Sequence, residues 1–475
     1  MRKGFVVLLA ALVVALFAAP ATAEISFFGT ARVLPTFYSN FDFNDNLPDA
    51  PVNNEAGFAT GEHVRSELRL GWKAGGDKWK IMFIAETDVI NEKDTADRSF
   101  YTAGTKVNGA VNTPNAGGEF GIERVELNYT FAPALVLSTG WNIRAADIKT
   151  GGLLFGDDHP FIELGGSLTE NLKYALTYLQ INNRAISGTG FSPVRDDWRA
   201  YLLKFNVLAG AGNAKFDLSP MVLFSDNKMR NAKVYYYGVE ATGQVGIFKP
   251  YAEFVYADGE FRNTTPARDI KAYAYFAGVE AAVSKAFNPY VAIRFATGDD
   301  NSSDNDVEGF VGITDIARFT PLIGMDGNIL GESMGNPYGN VLYSYAPERK
   351  FATNQYGGIS NAGSGDNPGH MIAALGAKGA ISDPLSYKAQ IFMIWYDKKN
   401  NVLIGAGKPG AGTPITDDFA GTVFDLQLSY KFSPNFSTYF IYSTFVPGDA
   451  IKDQLANTAD DTPAYLASLG LVWNY

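Results

Sequence analysis

Apolar and polar residues alternate in segments of about ten residues that recur along the whole chain, as in membrane-spanning β-strands. The last segment, YLASLGLVWNY, shows the pattern, because Leu469, Leu471 and Trp473 share one parity while Ser468 and Asn474 share the other. A two-residue repeat is typical of a β-strand with one apolar face and one polar face. A tilted strand of this length can cross the hydrocarbon layer of a bilayer. The alternation therefore predicts an all-β chain, either soluble or embedded in a membrane.

The alternating segments are joined by short turns and by longer polar connections. Tight turns are predicted around residues 75–78, 170–171 and 433–435, which are rich in Gly, Asn and Pro. The count predicts 18 strands, with 16 as the alternative, and an even number returns both chain ends to the short-turn side. We expect an antiparallel transmembrane β-barrel with short periplasmic turns and long extracellular loops, because closure leaves no exposed sheet edge.

The N-terminal residues have the pattern of a secretory signal. Arg2 and Lys3 precede an apolar run, and Ala21 to Ala23 form a small-residue cleavage site, so residues 1–23 are predicted to be a signal peptide. A retained membrane anchor is the alternative. The barrel is then expected to occupy residues 24–475, and no later stretch has the eighteen apolar residues that a membrane-spanning helix needs.

Composition narrows the class of protein. Without Arg2 and Lys3 the chain has 37 basic and 50 acidic side chains, a formal charge of −13, which argues against a nucleic-acid partner. The absence of cysteine excludes disulfides and thiolate metal sites. A mean hydropathy near zero with 59 Tyr and Phe residues fits a barrel in which only alternate residues face lipid. A soluble protein of this length would usually divide into domains, yet no linker is evident.

The parity opposite the apolar one carries charges of both signs and is predicted to line the lumen. The candidates for a selectivity site are Arg65, Glu67, Arg69, Glu86, Arg124, Glu126, Arg144, Glu240, Glu253, Glu280 and Arg294. One interpretation is a hydrated wall of mutual ion pairs. The other is a constriction, in which arginines of the N-terminal strands face Glu240, Glu253 and Glu280 and set up a transverse field that filters ions.

The longest connection, residues 298–368, opens with the acidic sequence GDDNSSDNDVE. We expect it to fold into the pore or over its mouth, and a surface loop is the alternative. Asp299, Asp300, Asp304 and Asp306 offer the hard oxygen ligands that Ca²⁺ prefers, although their spacing is not that of an EF-hand. A solvated acidic loop, or bridging of lipopolysaccharide through divalent ions, would explain the same residues.

The sequence gives little support for an enzyme. It contains three histidines and neither an HExxH nor a GxxxxGK[ST] motif. Asp157, Asp158 and His159 are adjacent, as in an acid–histidine pair, but Pro160 follows them and we predict an exposed turn. We therefore expect a protein without a chemical step, and keep a barrel-embedded hydrolase as a third possibility.

Several segments resemble a known family of outer-membrane proteins. FATGDDNSSDNDVEGF, the late GTVFD followed by FVPGD, and the terminal aromatic strand are similar to those of alginate-export porins, which are large outer-membrane barrels. The resemblance implies an 18-stranded barrel and leans towards a monomer, with a homotrimer still open. The relatives have a strongly basic lumen, whereas the charges predicted here are balanced.

These observations predict a porin in the outer membrane of a Gram-negative bacterium that passes small hydrophilic solutes, such as oligosaccharides or organic anions, by passive diffusion. The alternative is a plugged barrel that acts as a surface-binding or partner-enclosing scaffold. Expected partners are outer-membrane lipid, lipopolysaccharide and the barrel-assembly machinery. We expect that machinery to recognise the terminal strand that ends in Tyr475.

Overall fold

A computed structural model describes residues 24–40, 62–91, 106–107, 110–111, 119–183, 197–228, 231–262, 267–301, 303–310, 312–313, 368–455 and 462–475. Eighteen long antiparallel strands form one sheet that closes on itself, so the predicted all-β barrel and its strand count are confirmed. The predicted signal peptide, residues 1–23, lies outside the described residues.

The barrel strands follow one another around the sheet in chain order. Strands β1 to β9 are Glu24–Ser39, Glu62–Gly75, Trp79–Asn91, Glu119–Ala132, Leu135–Ala145, Gly156–Thr169, Leu172–Asn183, Asp197–Ala211 and Ala214–Asn227. Strands β10 to β18 are Ala232–Val245, Phe248–Phe261, Arg268–Ala281, Asn288–Ala296, His370–Ala380, Leu385–Trp395, Phe419–Ser433, Phe436–Pro447 and Ala464–Asn474. Two-residue strands occur at Lys106–Val107, Ala110–Val111 and Asp306–Val307.

The first and last strands close the barrel. Thr30 of β1 is paired with Asn474 of β18, and the antiparallel register continues to Ser39 opposite Tyr465. The terminal Tyr475 exchanges two backbone hydrogen bonds with Gly29, at 3.0 and 3.1 Å. Its ring lies over Gly29, where a Cβ would come within 2.2 Å of the ring, so this close approach requires glycine.

The outer surface is apolar and the opposite face points into the barrel. Leu202 and Tyr236 are buried inside, whereas their neighbours Leu203 and Tyr237 are 38% and 46% exposed on the outside. Exposed apolar side chains recur on almost every strand, which in water would be an aggregation hazard but in lipid is favourable. The outer face therefore matches a bilayer.

Aromatic rings mark the two ends of this apolar band. Near the short turns, Phe436 stacks between Phe432 and Trp473 with centroid distances of 5.0 and 4.6 Å. Towards the long loops, Tyr201 and Phe224 belong to a second row, with centroids 6.2 Å apart. Rings with polar tips are favoured at the membrane–water boundary, so the two rows delimit the membrane-spanning zone.

One short helix, α1 (Asp449–Gln454), follows β17 on the long-loop side. Its Ala450 and Ile451 are buried beside Val402 and Ile415 of the connection before β16, so these loops share a small apolar core. No helix in the described part of the chain is long and apolar enough to span a membrane.

One connection differs from what alternation in the sequence predicts. The alternation predicted a strand up to Ile148 and the next from Pro160, whereas β5 ends at Ala145 and β6 begins at Gly156. The chain turns inward because the buried Asp147 carboxylate accepts hydrogen bonds from Leu154 N and Phe155 N, at 2.5 and 3.0 Å. Residues 146–155, hereafter the inward loop, therefore lie inside the barrel.

Candidate functional site

A connected series of ion pairs lines the inner wall of β1 to β4. Arg69 is at its centre, with Nε 3.2 Å from Glu67, Nε 3.1 Å from Glu86 and Nη2 3.3 Å from Glu123. Arg32 Nη2 extends the series at 2.7 Å from Glu67. The structure thus brings together Glu67, Arg69 and Glu86, as their shared parity predicts.

A β-bulge adds one carboxylate that strand parity cannot predict. Ile84 of β3 pairs with Arg124 of β4, but the next residue, Ala85, pairs with Ile122, which leaves Glu123 as the extra residue. Glu123 and Arg124 consequently both point inward, and their side chains pair at 2.8 Å. The selectivity candidates included Arg124 and omitted Glu123, because alternation assigns adjacent residues to opposite faces.

Farther around the wall, Arg144 links three strands. Its Nη2 is 3.1 Å from Glu126 of β4, its Nε is 3.5 Å from Glu163 of β6, and its guanidinium lies 3.6 Å above the ring of Phe161. Together with the Arg69 group, this charge ladder contains four arginines and five glutamates, namely Arg32, Arg69, Arg124, Arg144, Glu67, Glu86, Glu123, Glu126 and Glu163. Its nearly balanced charge is that of a hydrated wall of mutual ion pairs.

The inward loop extends into the lumen and docks on the wall at Glu253. This carboxylate, on β11, accepts hydrogen bonds from Thr150 Oγ1 at 2.7 Å, Gly151 N at 2.7 Å, and Gly152 N and Leu153 N, both at 3.2 Å. Four donors converge on one buried side chain, which is only 3% exposed. Glu253 therefore holds the loop instead of facing the open pore.

A second anchor lies next to the first. Glu240 of β10 accepts hydrogen bonds from Lys204 Nζ at 2.6 Å and from Lys149 N of the loop at 3.0 Å. Lys204 also donates to Ala146 O, and Lys149 Nζ reaches Asp217 of β9 at 2.8 Å. Glu240 and Glu253, two of the three glutamates predicted to face the arginines, are thus brought together, and the loop between β5 and β6 joins them.

The apolar residues of the inward loop pack against the inner wall. Leu153, Leu154 and Phe155 are each no more than 2% exposed and belong to one core inside the barrel. Part of the 298–368 connection joins them, since Ile313 N donates to Leu154 O at 2.8 Å and Phe310 contacts the ring of Tyr236. The described beginning of that connection therefore folds inward, and its residues 314–367 lie outside the described structure.

The remaining selectivity candidates are separate from the ladder and from the loop anchors. Glu280 of β12 is buried between Lys249 and Lys378, whose ammonium nitrogens are 3.2 and 2.8 Å away. Arg294 is buried on β13 opposite Ile372 of β14. Arg65 pairs with Leu34 and Ile90 in the sheet, but its side chain is outside the described part of the structure.

The acidic residues proposed as Ca²⁺ ligands have other contacts. Asp299 accepts hydrogen bonds from Asn301 N at 3.0 Å and Glu308 N at 3.2 Å, and burial raises the pKa of its carboxyl group. Asp304 accepts one from Asp306 N at 3.0 Å, and Asp300 is 3.8 Å from Lys398. Within the described residues no three acidic or histidine side chains form a group that could hold a metal, so Ca²⁺ binding stays a prediction.

The predicted exposed turn at residues 157–159 is wrong. Residues 157–159 belong to β6, and His159 is buried with its ring 5.9 Å from that of Phe155. The turn was predicted from Pro160, but the loop folds inward and the strand begins before the proline, opposite Trp141. His159 therefore packs under the inward loop.

No protein family and no curated protein matches this sequence. Solved structures do match the fold, among them OccAB2 of Acinetobacter baumannii, with a TM-score of 0.56 and 11% identity over 95% of this chain and 98% of that chain. OccK2 (OpdF) of Pseudomonas aeruginosa, in complex with glucuronate, has a TM-score of 0.52 and 11% identity over 95% and 98% of the two chains. OpdK of the same species, with vanillate, has a TM-score of 0.51 and 11% identity over 94% and 98%.

These neighbours are Occ/Opd outer-membrane porins, and this chain shares their fold. The comparisons do not support the predicted resemblance to alginate-export porins, which rested on a few short segments of the sequence. A closed barrel satisfies all backbone hydrogen bonds inside lipid, and its apolar outer face matches the bilayer. The protein accordingly belongs to the outer membrane of a Gram-negative bacterium.

Proposed function

We propose that this protein is an outer-membrane channel for the passive diffusion of small hydrophilic solutes. The observation that carries the proposal is a charged inner wall together with a loop that Glu253 holds inside the lumen. Such a loop narrows the passage, and charges beside a narrow passage act on each solute at short range. Transport then involves size exclusion and electrostatic selection, with no chemical step.

The solute class that fits best is the small organic acid. Arginines of the charge ladder offer paired N–H donors, which suit carboxylates, and the neighbouring glutamates limit how tightly an anion is held. Two neighbours of the same fold were solved with organic acids, glucuronate in OccK2 and vanillate in OpdK.

The test is conductance in planar bilayers, combined with swelling of liposomes in solutes of graded size. Purified protein should give discrete ohmic channels, and swelling should be faster for small organic acids than for neutral disaccharides. Absence of channel current from protein that has inserted and shows heat-modifiable electrophoretic mobility would contradict the proposal.

A plugged barrel that serves as a scaffold is the second candidate. The specific observation in its favour is the apolar core inside the barrel, formed by the inward loop, Phe310, Ile313 and the wall. The same conductance measurement separates the two functions, because a plugged scaffold inserts normally but passes little current.

A further inference from the structure

Two lysines face each other across neighbouring strands near the short-turn end of the barrel. Lys378 of β14 is the direct register partner of Lys388 of β15, and both lie on the inner face. Like charges in directly opposed positions destabilise a sheet. A pair of this kind is tolerated where a negatively charged group compensates it.

The two lysines line a recess in the lumen wall with a volume of about 580 Å³. Lys431 of β16 lines it as well, and no carboxylate is among the lining residues. Ser386, Ser429 and Ser437, on the same face as the lysines, add hydroxyl groups to the lining. This volume is in the range of sites that enclose one small ligand. We call it the lysine recess.

The buried Lys388 ammonium is only partly compensated by the protein. It is 5% exposed, and within the described residues its ammonium group has no hydrogen-bond partner. Asp425 acts on it electrostatically, but that carboxylate already accepts hydrogen bonds from Gln390 at 2.8 Å and from Ser443. Lys378 differs, because Glu280 pairs with it at 2.8 Å. A buried ammonium without a hydrogen bond is costly, and a ligand oxygen would remove that cost.

We propose that the lysine recess binds a small hydroxylated organic acid. The ligand carboxylate would interact with Lys388 and Lys431, and its hydroxyl groups would exchange hydrogen bonds with the serine side chains. The flexible four-carbon stem lets the covered Lys388 ammonium turn towards the carboxylate. The proposal rests on the channel function and makes this recess the last binding site before a solute leaves at the short-turn end.

The location follows from the turns that border the recess. Gly379 and Ser386 flank the β14–β15 turn, Ser433 and Pro434 form the β16–β17 turn, and Asn474 ends β18. All three lie at the end where short turns join the strands, which is the periplasmic side in bacterial barrels. The site is thus distinct from the charge ladder on β1 to β6.

The experiment is isothermal titration calorimetry of the full-length protein in detergent, with three probes. Gluconate carries a carboxylate and hydroxyl groups, sorbitol carries the hydroxyl groups alone, and acetate carries the charge alone. We expect gluconate to bind more tightly than either control. Lys388→Met should weaken gluconate binding roughly tenfold, the loss expected for one charge-assisted hydrogen bond. Lys431→Met should weaken it by a smaller factor, because Lys431 is exposed.

Lys173→Met is the matched control. Lys173, on β7 near the same end of the barrel, does not line the recess, so its loss should leave gluconate affinity unchanged. Heat-modifiable mobility checks that each variant is folded, and Lys431→Met decides the question if Lys388→Met does not fold. Equal gluconate affinity in the wild type and the lysine variants, or sorbitol binding as tight as gluconate, would overturn the proposal. Conductance in KCl tests the channel independently of this binding.

Discussion

Glu253 shows how one side chain can determine the width of the passage. Its carboxylate accepts the hydrogen bonds of Thr150, Gly151, Gly152 and Leu153. Glu253→Gln keeps the size of the side chain but turns an amide N–H₂ group towards N–H donors. The contact between the inward loop and β11 therefore loses about 3 kcal/mol of stability. We predict larger and noisier single-channel conductance, because the inward loop is released.

The control for this substitution lies on the same strand. Glu260→Gln removes a charge from an exposed residue that pairs with Arg262 near the end of β11, and it should leave conductance unchanged. Unchanged conductance in folded Glu253→Gln protein would mean that other contacts suffice to hold the loop.

Arg69 compensates three glutamates at once. Arg69→Ala leaves Glu67, Glu86 and Glu123 without that partner, so the wall becomes more negative. We predict that the reversal potential in a KCl gradient shifts towards cation selectivity and that unfolding free energy falls by about 1–2 kcal/mol, since the site is partly hydrated. Arg124→Ala should shift it in the same direction and by less, because Arg124 pairs only with Glu123 in the described contacts.

Lys78→Ala provides the comparison for both arginine substitutions. Lys78 is exposed in the turn between β2 and β3, outside the charge ladder, so we expect no shift in reversal potential. A shift of equal size in this variant would show that overall charge, and not the ladder, sets selectivity.

The terminal strand β18 is the element on which closure depends. Residues up to Asn474 pair with β1, Tyr475 bonds to Gly29, and Trp473 extends the aromatic row at the short-turn end. Deleting residues 473–475 removes the last pairings and the terminal aromatic ring. We predict that the truncated protein fails to insert, which membrane fractionation and heat-modifiable mobility will show.

Tyr475→Phe is the matched variant for this deletion. It keeps the ring over Gly29 and loses only the hydroxyl bond to Arg69 O, which is long at 3.3 Å. Normal insertion is expected. If the truncated protein inserted as well as Tyr475→Phe, recognition of the terminal strand would have to reside elsewhere.

The elements differ in how well alternation predicts them. Strands such as β12 and β18 have an uninterrupted two-residue repeat, and their predicted limits agree closely with the structure. The β4 bulge breaks the repeat at Glu123, so a correct strand still gave an incomplete set of inward charges. Alternation predicted that the strand continues to Ile148, whereas β5 ends at Ala145 and residues 146–155 form the inward loop.

In the molecule as a whole, the inward loop occupies part of the lumen. Ala146 N donates to Phe155 O at 2.9 Å, so the two ends of the loop are close enough for a two-residue turn. Replacing residues 147–154 by Gly-Gly should preserve the barrel, increase conductance and admit larger solutes in liposome swelling. Thermal stability should fall, because Phe155 and the apolar wall lose their packing.

Conductance equal to that of the wild type in this shortened variant would show that another segment sets the width. A six-residue polar replacement of the same loop separates the effect of length from that of apolar packing. That variant should conduct like the Gly-Gly protein if apolar packing is what holds the loop inside the barrel.

Local pattern in the sequence was sufficient for the barrel itself. A β-strand repeats every two residues, so strand number, lipid-facing residues and the inward parity of Glu67, Arg69 and Glu240 can be read from neighbours along the chain. The pairing of Glu253 with a loop about a hundred residues away cannot be read from neighbours along the chain. It depends on how the closed wall is curved and where the loop turns inward. For the same reason the opposition of Lys378 and Lys388 follows from strand register, and the recess they line follows from closure of the barrel.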